Sequence, residues 1–407
     1  MFERPSIVVG LEIGTAKVCA MVGEVTARGA LSIIGVGQAR SRGVRKGEIV
    51  DARQASEDIR TAIAEAEEMA DQEIRRVYLG VSGGHLRSFN NRGVHPVASV
   101  DRLITQEDVQ DVVKNAKALS LPPENHVVHV VRQHFQVDDQ LGVHDPVGMC
   151  GARLQVDVHV VHGKFHRLQN SIGVVKSLQL DVADIVFNGM ASTLAVLTPE
   201  HKELGALVID LGAGVTEYTV CADGIIKHTG VLAVGGDHVT NDLACGLKVS
   251  LGRAEQLKLE HGHALVEDQV LGKTLSLPNE MGLPEKTINL EHLRRIMSLR
   301  LEEIFQIIAE DLTQAGQWDY LGAGVFLCGG GARVPEIETL AKKVFRLPVH
   351  RARNHSVSGL KSALDQPEFA TVIGLLRFGA AQHRRRMASG GLRLGLRQTL
   401  QQWFRRS

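Results

Sequence analysis

The 407-residue chain is poor in aromatic side chains, with only two tryptophans and three tyrosines. It has no stretch approaching the roughly 20 apolar residues that a membrane-spanning helix requires. Neither sign of charge is in excess, since Lys and Arg total 46 and Asp and Glu total 46. Proteins that coat nucleic acid carry a global positive field, so no nucleic-acid partner is expected, and any contact with a membrane or polyanion must be local. The five cysteines, Cys19, Cys150, Cys221, Cys245 and Cys328, form no CxxC pair for zinc or redox chemistry. Their odd number fits a reducing compartment. Met1 to Pro5 is charged and leads into a strand-like run without the apolar core and cleavage site of a secretion signal, so a cytosolic body is expected.

What the chain does have is length and 44% hydrophobic residues, enough for two or more packed domains. A device occurs twice. Ile7 to Ile13 is strand-like, breaks at Gly14-Thr15-Ala16-Lys17 and resumes at Val18. Ala206 to Leu211 turns through Gly212-Ala213-Gly214 and continues from Val215 through Thr216 to Val220. Two copies of one hairpin predict two similar lobes. Glycines let backbone N–H groups approach phosphate oxygens, the Thr15 and Thr216 hydroxyls add donors, and Lys17 adds charge. Carboxylates at Glu12 and Asp210 then face the phosphates from opposite lobes, an arrangement that calls for a cation. Mg²⁺ held largely through waters is the usual solution.

A third element completes the cleft. Val325 to Cys328 is strand-like and runs into Gly329-Gly330-Gly331-Ala332, followed by a helix expected over Val334 to Phe345, so that a flat base and ribose can lie on the backbone. Other nucleotide folds fit less well. Gly272-Lys273-Thr274 ends like a Walker motif, but Glu267 stands where its upstream glycine belongs. No GxGxxG follows the first strand.

These segments resemble the actin, Hsp70 and sugar-kinase ATPase superfamily, and within it the FtsA family of bacterial cell-division proteins. Gly10 to Val18 resembles the first phosphate motif, Val208 to Thr216 the second, and Ser192 to Thr198 with Glu203-Leu204-Gly205 the helix and turn before it. The resemblance implies that Gly235, Gly236, Asp237, Glu255 and Lys258 also bind nucleotide, the last two from a helix against ribose and base. It implies an α/β, two-lobed actin-like (ribonuclease H-like) ATPase fold with a relocated small α+β subdomain and a C-terminal amphipathic helix. The expected cofactors are ATP and Mg²⁺. Two departures bear on turnover: Glu12 where most of the superfamily has aspartate, and Ala213 between the glycines of the second turn. Both favour binding over hydrolysis.

On this reading, 1–84 with 165–203 forms the first lobe and 204–247 with 318–383 the second. Residues 85–164, with strand-like runs around a helical Gln106 to Leu119, form the inserted module, to which the resemblance assigns self-polymerisation and contacts with later division proteins. Its histidines, His126, His129, His134, His159, His162 and His166, scatter over both strand faces without ligand spacing, so core or solvated roles are expected rather than a metal. Residues 248–317 form a second small subdomain ending in a helix whose apolar stripe is Leu293, Ile296, Leu299, Ile304, Phe305 and Ile308. On this helix the resemblance implies binding of the acidic, apolar C-terminal tail of FtsZ, with Arg300 and Glu303 matching best.

After a linker at 384–391, Leu392, Leu396, Leu400, Trp403 and Phe404 recur on one helical side, flanked by Arg393, Arg397, Arg405 and Arg406. This amphipathic tail is expected to lie in the interface of a membrane with anionic lipids, on the cytoplasmic face. The function expected from the resemblance is an adaptor that anchors FtsZ filaments at the division site. A PilM-like pilus scaffold and a small-metabolite kinase of the same superfamily remain the alternatives.

Overall fold

The structure is a computed structural model that describes residues 6–26, 30–277, 286–353, 358–359 and 366–388. The expected membrane helix, including Leu392, Arg393, Leu396, Arg397, Leu400, Trp403, Phe404, Arg405 and Arg406, lies outside the described residues.

Two sheets share one plan. In the first, β1 (Ser6–Ile13) pairs antiparallel with β2 (Lys17–Val25) and parallel with β6 (Arg76–Val81). β3 (Leu31–Arg40) lies outside β2, and β11 (Asp181–Phe187) lies outside β6. In the second, β12 (Ala206–Leu211) pairs antiparallel with β13 (Thr216–Ala222) and parallel with β17 (Val325–Cys328). β14 (Ile225–Leu232) and β18 (Val349–Arg351) close its two sides. The orders β3-β2-β1-β6-β11 and β14-β13-β12-β17-β18 are therefore the same, and the repeated hairpin is the local trace of two lobes of one topology. The short β19 (Ser358–Gly359) adds to the edge of β3. β4 (Val44–Arg45) and β5 (Glu48–Ile49) make a small hairpin beside the first turn.

Central strands buried on both faces read as continuous apolar runs, and β1 follows this rule from Val8 to Leu11. One face is covered by α1 (Ala52–Ala70), capped by Asp51 and packed through Ala55, Ile59, Ala62, Ile63 and Ala66. The other carries α4 (Asn188–Val196), buried along its whole length, and α10 (Ala370–Ala388). The short α5 (Pro199–Leu204) then leads into β12. α10 extends through Ala388, so the first part of the expected linker continues as helix.

The inserted module is an antiparallel sheet ordered β7-β10-β8-β9, made from β7 (Arg87–Pro96), β8 (Asn125–Val137), β9 (Gln140–Val143) and β10 (Arg153–Lys164). α2 (Gln106–Lys117), with a Thr105 capping box, crosses it, and α3 (Phe165–Ser177) returns the chain to the first lobe. Its alternating pattern gives a separate core of Val112, Ala116, Phe135, Leu154, Val156 and Val158. His129 and His159 are buried here, and burial pushes both down to about 3. Each is held as a neutral acceptor or donor, His129 by the Phe187 N–H at 3.0 Å and His159 by Asn90 and Thr229.

From α6 (Gly236–Leu247) the chain enters the second small subdomain, which carries α7 (Leu251–His261), the hairpin of β15 (Thr274–Leu277) and β16 (Lys286–Asn289), and α8 (Leu290–Gln314). The buried stripe of α8 is Leu293, Met297, Leu301, Ile304, Phe305, Ile308 and Leu312. Leu299 was expected in it but is 61% exposed. At 3.6 residues per turn Leu299 falls nearly opposite Met297 and Leu301, which take its place. α9 (Ile337–Phe345) is shorter than the Val334–Phe345 expectation because Gly330–Arg333 forms a 3-10 turn first. Gly272-Lys273-Thr274 joins a 3-10 turn at Asp268–Val270 to β15, with no preceding strand to present it.

Candidate functional site

The site is built where the two hairpins meet. In the first turn the Gly14 N–H donates to the Lys17 carbonyl at 3.0 Å, and in the second the Gly212 N–H donates to the Val215 carbonyl at 3.0 Å. A Cβ at Gly14 would sit 2.8 Å from the Lys17 oxygen and one at Gly212 2.6 Å from the Val215 oxygen, so both turns close only with glycine. The turns touch across the lobes: a Cβ on Gly214 would lie 2.5 Å from Thr15 Oγ1. Thr15 Oγ1 accepts from the Gly47 N–H at 2.9 Å and keeps its own proton to donate. Ala16 is exposed at the tip of the first turn, and Ala213 is partly exposed in the second.

Thr216 departs from expectation. It is fully buried and its hydroxyl donates to the Val234 carbonyl at 2.8 Å, so it pins the next loop and is not a phosphate donor. That loop folds onto the second turn, with the Gly236 N–H donating to the Gly212 carbonyl at 3.0 Å and the Asp237 N–H to the Ala213 carbonyl at 2.8 Å. α6 therefore starts at the second turn with Gly235 as its N-cap. Glu255 and Lys258 on α7 are engaged with each other at 2.7 Å and with Thr240, and Lys258 Nζ also reaches the Gly236 carbonyl at 3.2 Å. They brace α6 from behind, and any contact with a ligand would share these partners.

Glu12 stands at the cleft end of β1 and Asp210 at the cleft end of β12. Burial pushes the Glu12 carboxyl up to about 7, with Lys17 pulling down and Asp210 pushing further up. Glu12 Oε2 is out of solvent and has no hydrogen-bond partner. Burial also raises Asp210, against the pull of a 2.7 Å hydrogen bond from the Thr371 hydroxyl and of Lys17. An orphaned oxygen within the electrostatic reach of a second buried carboxylate fits a hard cation. Among the described residues no group of three or more ligating side chains gathers, so a cation here would take its remaining ligands from water and phosphate.

Several residues that the sequence reading did not single out complete the cleft. Glu217, opposite Asp210 in the hairpin, is 4% exposed, and burial with the nearby Asp210 charge pushes its carboxyl well above the usual range. Lys17 Nζ donates to the Glu368 carbonyl at 2.9 Å and sits 4.0 Å over the Phe369 ring, so the lysine is fixed by the segment that begins α10. Gly329, with φ +79°, donates its N–H to the Pro367 carbonyl at 2.9 Å, and Arg333 pairs with Glu368 at 2.7 Å. Gly330 is open to solvent, Gly331 is partly covered and Ala332 is buried, leaving the backbone of the third turn as the flat surface of the cleft. An acid inside the buried run Val215 to Ala222 was the readable signal for Glu217. Nothing in the local sequence marked Glu368 or Thr371.

Arg300 and Glu303 lie outside this cleft on α8. Arg300 is bidentate on Asp242 of α6, Nε at 2.5 Å and Nη2 at 3.1 Å, and its Nη1 is paired with Glu303. The two side chains are thus paired with each other, and Arg300 with α6 as well.

A family model described as "Cell division protein FtsA" matches residues 207–374, and one described as "SHS2 domain inserted in FTSA" matches residues 83–162. The chain is 36% identical over 377 residues to the cell division protein FtsA of Pseudomonas aeruginosa, covering 93% of this chain and 90% of that one. Among solved structures it resembles the PilM-PilN type IV pilus biogenesis complex, with TM-score 0.64 and 17% identity over 92% of this chain and 98% of that one. It also resembles MreB5 of Spiroplasma citri bound to ADP, with TM-score 0.56 and 16% identity over 96% of this chain and all of that one. The structural likenesses establish an actin-like fold, and the sequence relationship fixes its branch: the chain belongs to the FtsA family of cell-division proteins.

Proposed function

We propose that this chain is an ATP-binding adaptor that anchors FtsZ filaments to the cytoplasmic face of the cell membrane at the division site, polymerises with itself and helps to recruit later division proteins. The observation that carries the nucleotide half is the unpartnered Glu12 Oε2, within the electrostatic reach of Asp210, beside two duplicated glycine turns. Mg²⁺ would be held by Glu12 and Asp210, partly through waters, and would neutralise phosphate charge there. Backbone N–H groups of the turns at Gly14 to Lys17 and Gly212 to Gly214 would meet the phosphates, with Lys17 adding charge. The α6 N-terminus at Gly235 to Asp237 is bonded to the second turn through the Gly236 and Asp237 N–H groups and would hold that turn in place against phosphate. The nucleotide held by the MreB neighbour supports ATP or ADP as the ligand. Glutamate at position 12 lengthens the metal arm by about one C–C bond, which supports slow turnover or none, because Mg²⁺ tolerates distorted octahedra poorly.

The partner half rests on α8, where exposed Leu299 stands one residue from Arg300 and offers apolar and cationic contacts to an acidic, apolar FtsZ tail. The membrane half rests on the sequence of the tail alone. A single interfacial helix binds reversibly, with about 1 kcal/mol per basic contact to anionic lipid, and polymerisation multiplies it. The test is liposome co-sedimentation of the full chain against a chain ending at Ala388, with and without ATP and a labelled FtsZ C-terminal peptide. The adaptor reading requires that only the full chain pellets with anionic lipid and brings the peptide. Equal pelleting of the truncated chain would remove the tail from the membrane role.

A further inference from the structure

Arg300 already holds two carboxylates, and a third can bind it only by displacing one of them. Nε and Nη2 are spent on Asp242 and Nη1 on Glu303, so one guanidinium faces two carboxylates and the local charge is negative. The other arginines near it on α8 are also engaged, Arg294 with Glu267 and Arg295 with Glu291. Among the described residues of α8, an acidic peptide finds no arginine without a carboxylate partner and must take Arg300 from one. Glu303 is half exposed and on the same helix, so exchanging it moves nothing else. Asp242 is different. It sits on α6, about 9 Å along the helix from Gly236 at 1.5 Å per residue. The start of α6 is bonded to the second glycine turn through Gly236 and Asp237.

We propose that Asp242 is a built-in competitor for Arg300, and that through α6 an acidic partner peptide and ATP weaken each other's binding. The inference rests on the reading of α8 as the partner face and of the second turn as a phosphate site. The Asp242–Arg300 pair ties α6 to α8 and so helps to order the helix whose first N–H groups hold the second glycine turn. A peptide that captures Arg300 releases that tie, and ATP must then order α6 unaided. One ligand loosens what the other needs fixed, which makes the coupling negative. By reciprocity, each changes the other's affinity by the same factor. Asp242 touches neither ligand and is a positioning residue.

The experiment measures binding of a labelled synthetic FtsZ-tail peptide to the full chain with and without Mg-ATP, and of ATP with and without peptide, in wild type, Asp242→Asn and Glu303→Gln. In wild type, ATP should weaken the peptide several-fold and the peptide should weaken ATP by the same factor. Asp242→Asn should bind peptide more tightly, lose the effect of ATP on it, and bind ATP several-fold more weakly even with no peptide present. Glu303→Gln should also tighten the peptide but keep the ATP effect, because Glu303 is not on α6. Circular dichroism and thermal midpoints establish that each variant is folded. An ATP effect of undiminished size in Asp242→Asn, or no reciprocal effect in wild type, overturns the proposal. If no form binds peptide, the partner reading fails, and the ATP affinity of Asp242→Asn alone decides: a several-fold loss upholds the α6 tie, and an unchanged value overturns it.

Discussion

The Ser82 hydroxyl, at the end of β6 in the first lobe, donates a 2.8 Å hydrogen bond to the buried Glu217 carboxylate of β13 in the second. The bond is a direct tie between the two lobes. Removing its donor leaves a buried acceptor unsatisfied, at a cost of about 1–3 kcal/mol. Ser82→Ala should therefore lower the urea unfolding midpoint, and Ser82→Thr should restore most of it. A midpoint for Ser82→Ala equal to that of wild type would mean that the lobes are held elsewhere.

The raised Glu12 carboxyl makes stability and ligand binding respond to pH in opposite ways. The folded chain keeps a proton up to about pH 7 that the unfolded chain gives up near 4.5. Without Mg²⁺, stability should thus fall as pH rises through that window and level off above it. Asp210 and Glu217 are raised as well and add to the same slope. Cation binding needs the carboxylate, so Mg-nucleotide affinity should increase with pH below about 7, by at most about tenfold per unit for one proton. Urea titrations at several pH values check the first effect and nucleotide titrations the second. Glu12→Gln should flatten both, and slopes equal to wild type would assign the proton to another group.

Much of this cleft was legible in the sequence because phosphate-binding turns are local: Gly14, Gly212 and the Gly329 cluster each announce themselves within a few residues. The equal topology of the two sheets followed from the same repetition. What was not legible depends on contacts between distant segments. Glu368 and Phe369 meet Lys17 across more than 350 residues of sequence. Thr216 reads as a phosphate ligand from spacing alone, and only the folded loop reveals that its hydroxyl serves Val234. The phase of α8 was misjudged at Leu299 because an apolar residue on the exposed face looks the same in sequence as one in the core.

Arg377 of α10 offers a test of how the first lobe is held together. Its guanidinium donates to the carbonyls of Leu194 and Ala195 at the end of α4, and burial lowers it to about 10. These are terminal carbonyls with no partner further along their helix. Arg377→Met keeps the apolar stem but strands the carbonyls, and should cost about 1–3 kcal/mol of stability. The readout is the thermal midpoint, with the far-ultraviolet spectrum unchanged. An unshifted midpoint would show that water replaces the guanidinium.

Asp210 and Thr371 allow the cation site to be separated from the scaffold around it. Asp210→Ala removes one of the two proposed Mg²⁺ ligands and should abolish Mg-ATP binding, while leaving a partner peptide on α8 bound as it is without nucleotide. Thr371→Val keeps the carboxylate but removes the hydroxyl that orients Oδ2 from the first turn of α10. A hydrogen bond to a charged group contributes about 1.5–3 kcal/mol, so Asp210 should become looser and its carboxyl should rise further. Mg-ATP affinity should fall roughly tenfold or somewhat more, at about 1.4 kcal/mol per decade, and the loss should shrink at higher pH, where the carboxylate is ionised regardless. Isothermal titration at two pH values distinguishes the cases. A loss in Thr371→Val that does not change with pH would mean that the threonine acts by packing α10 against the cleft and not by holding the carboxylate.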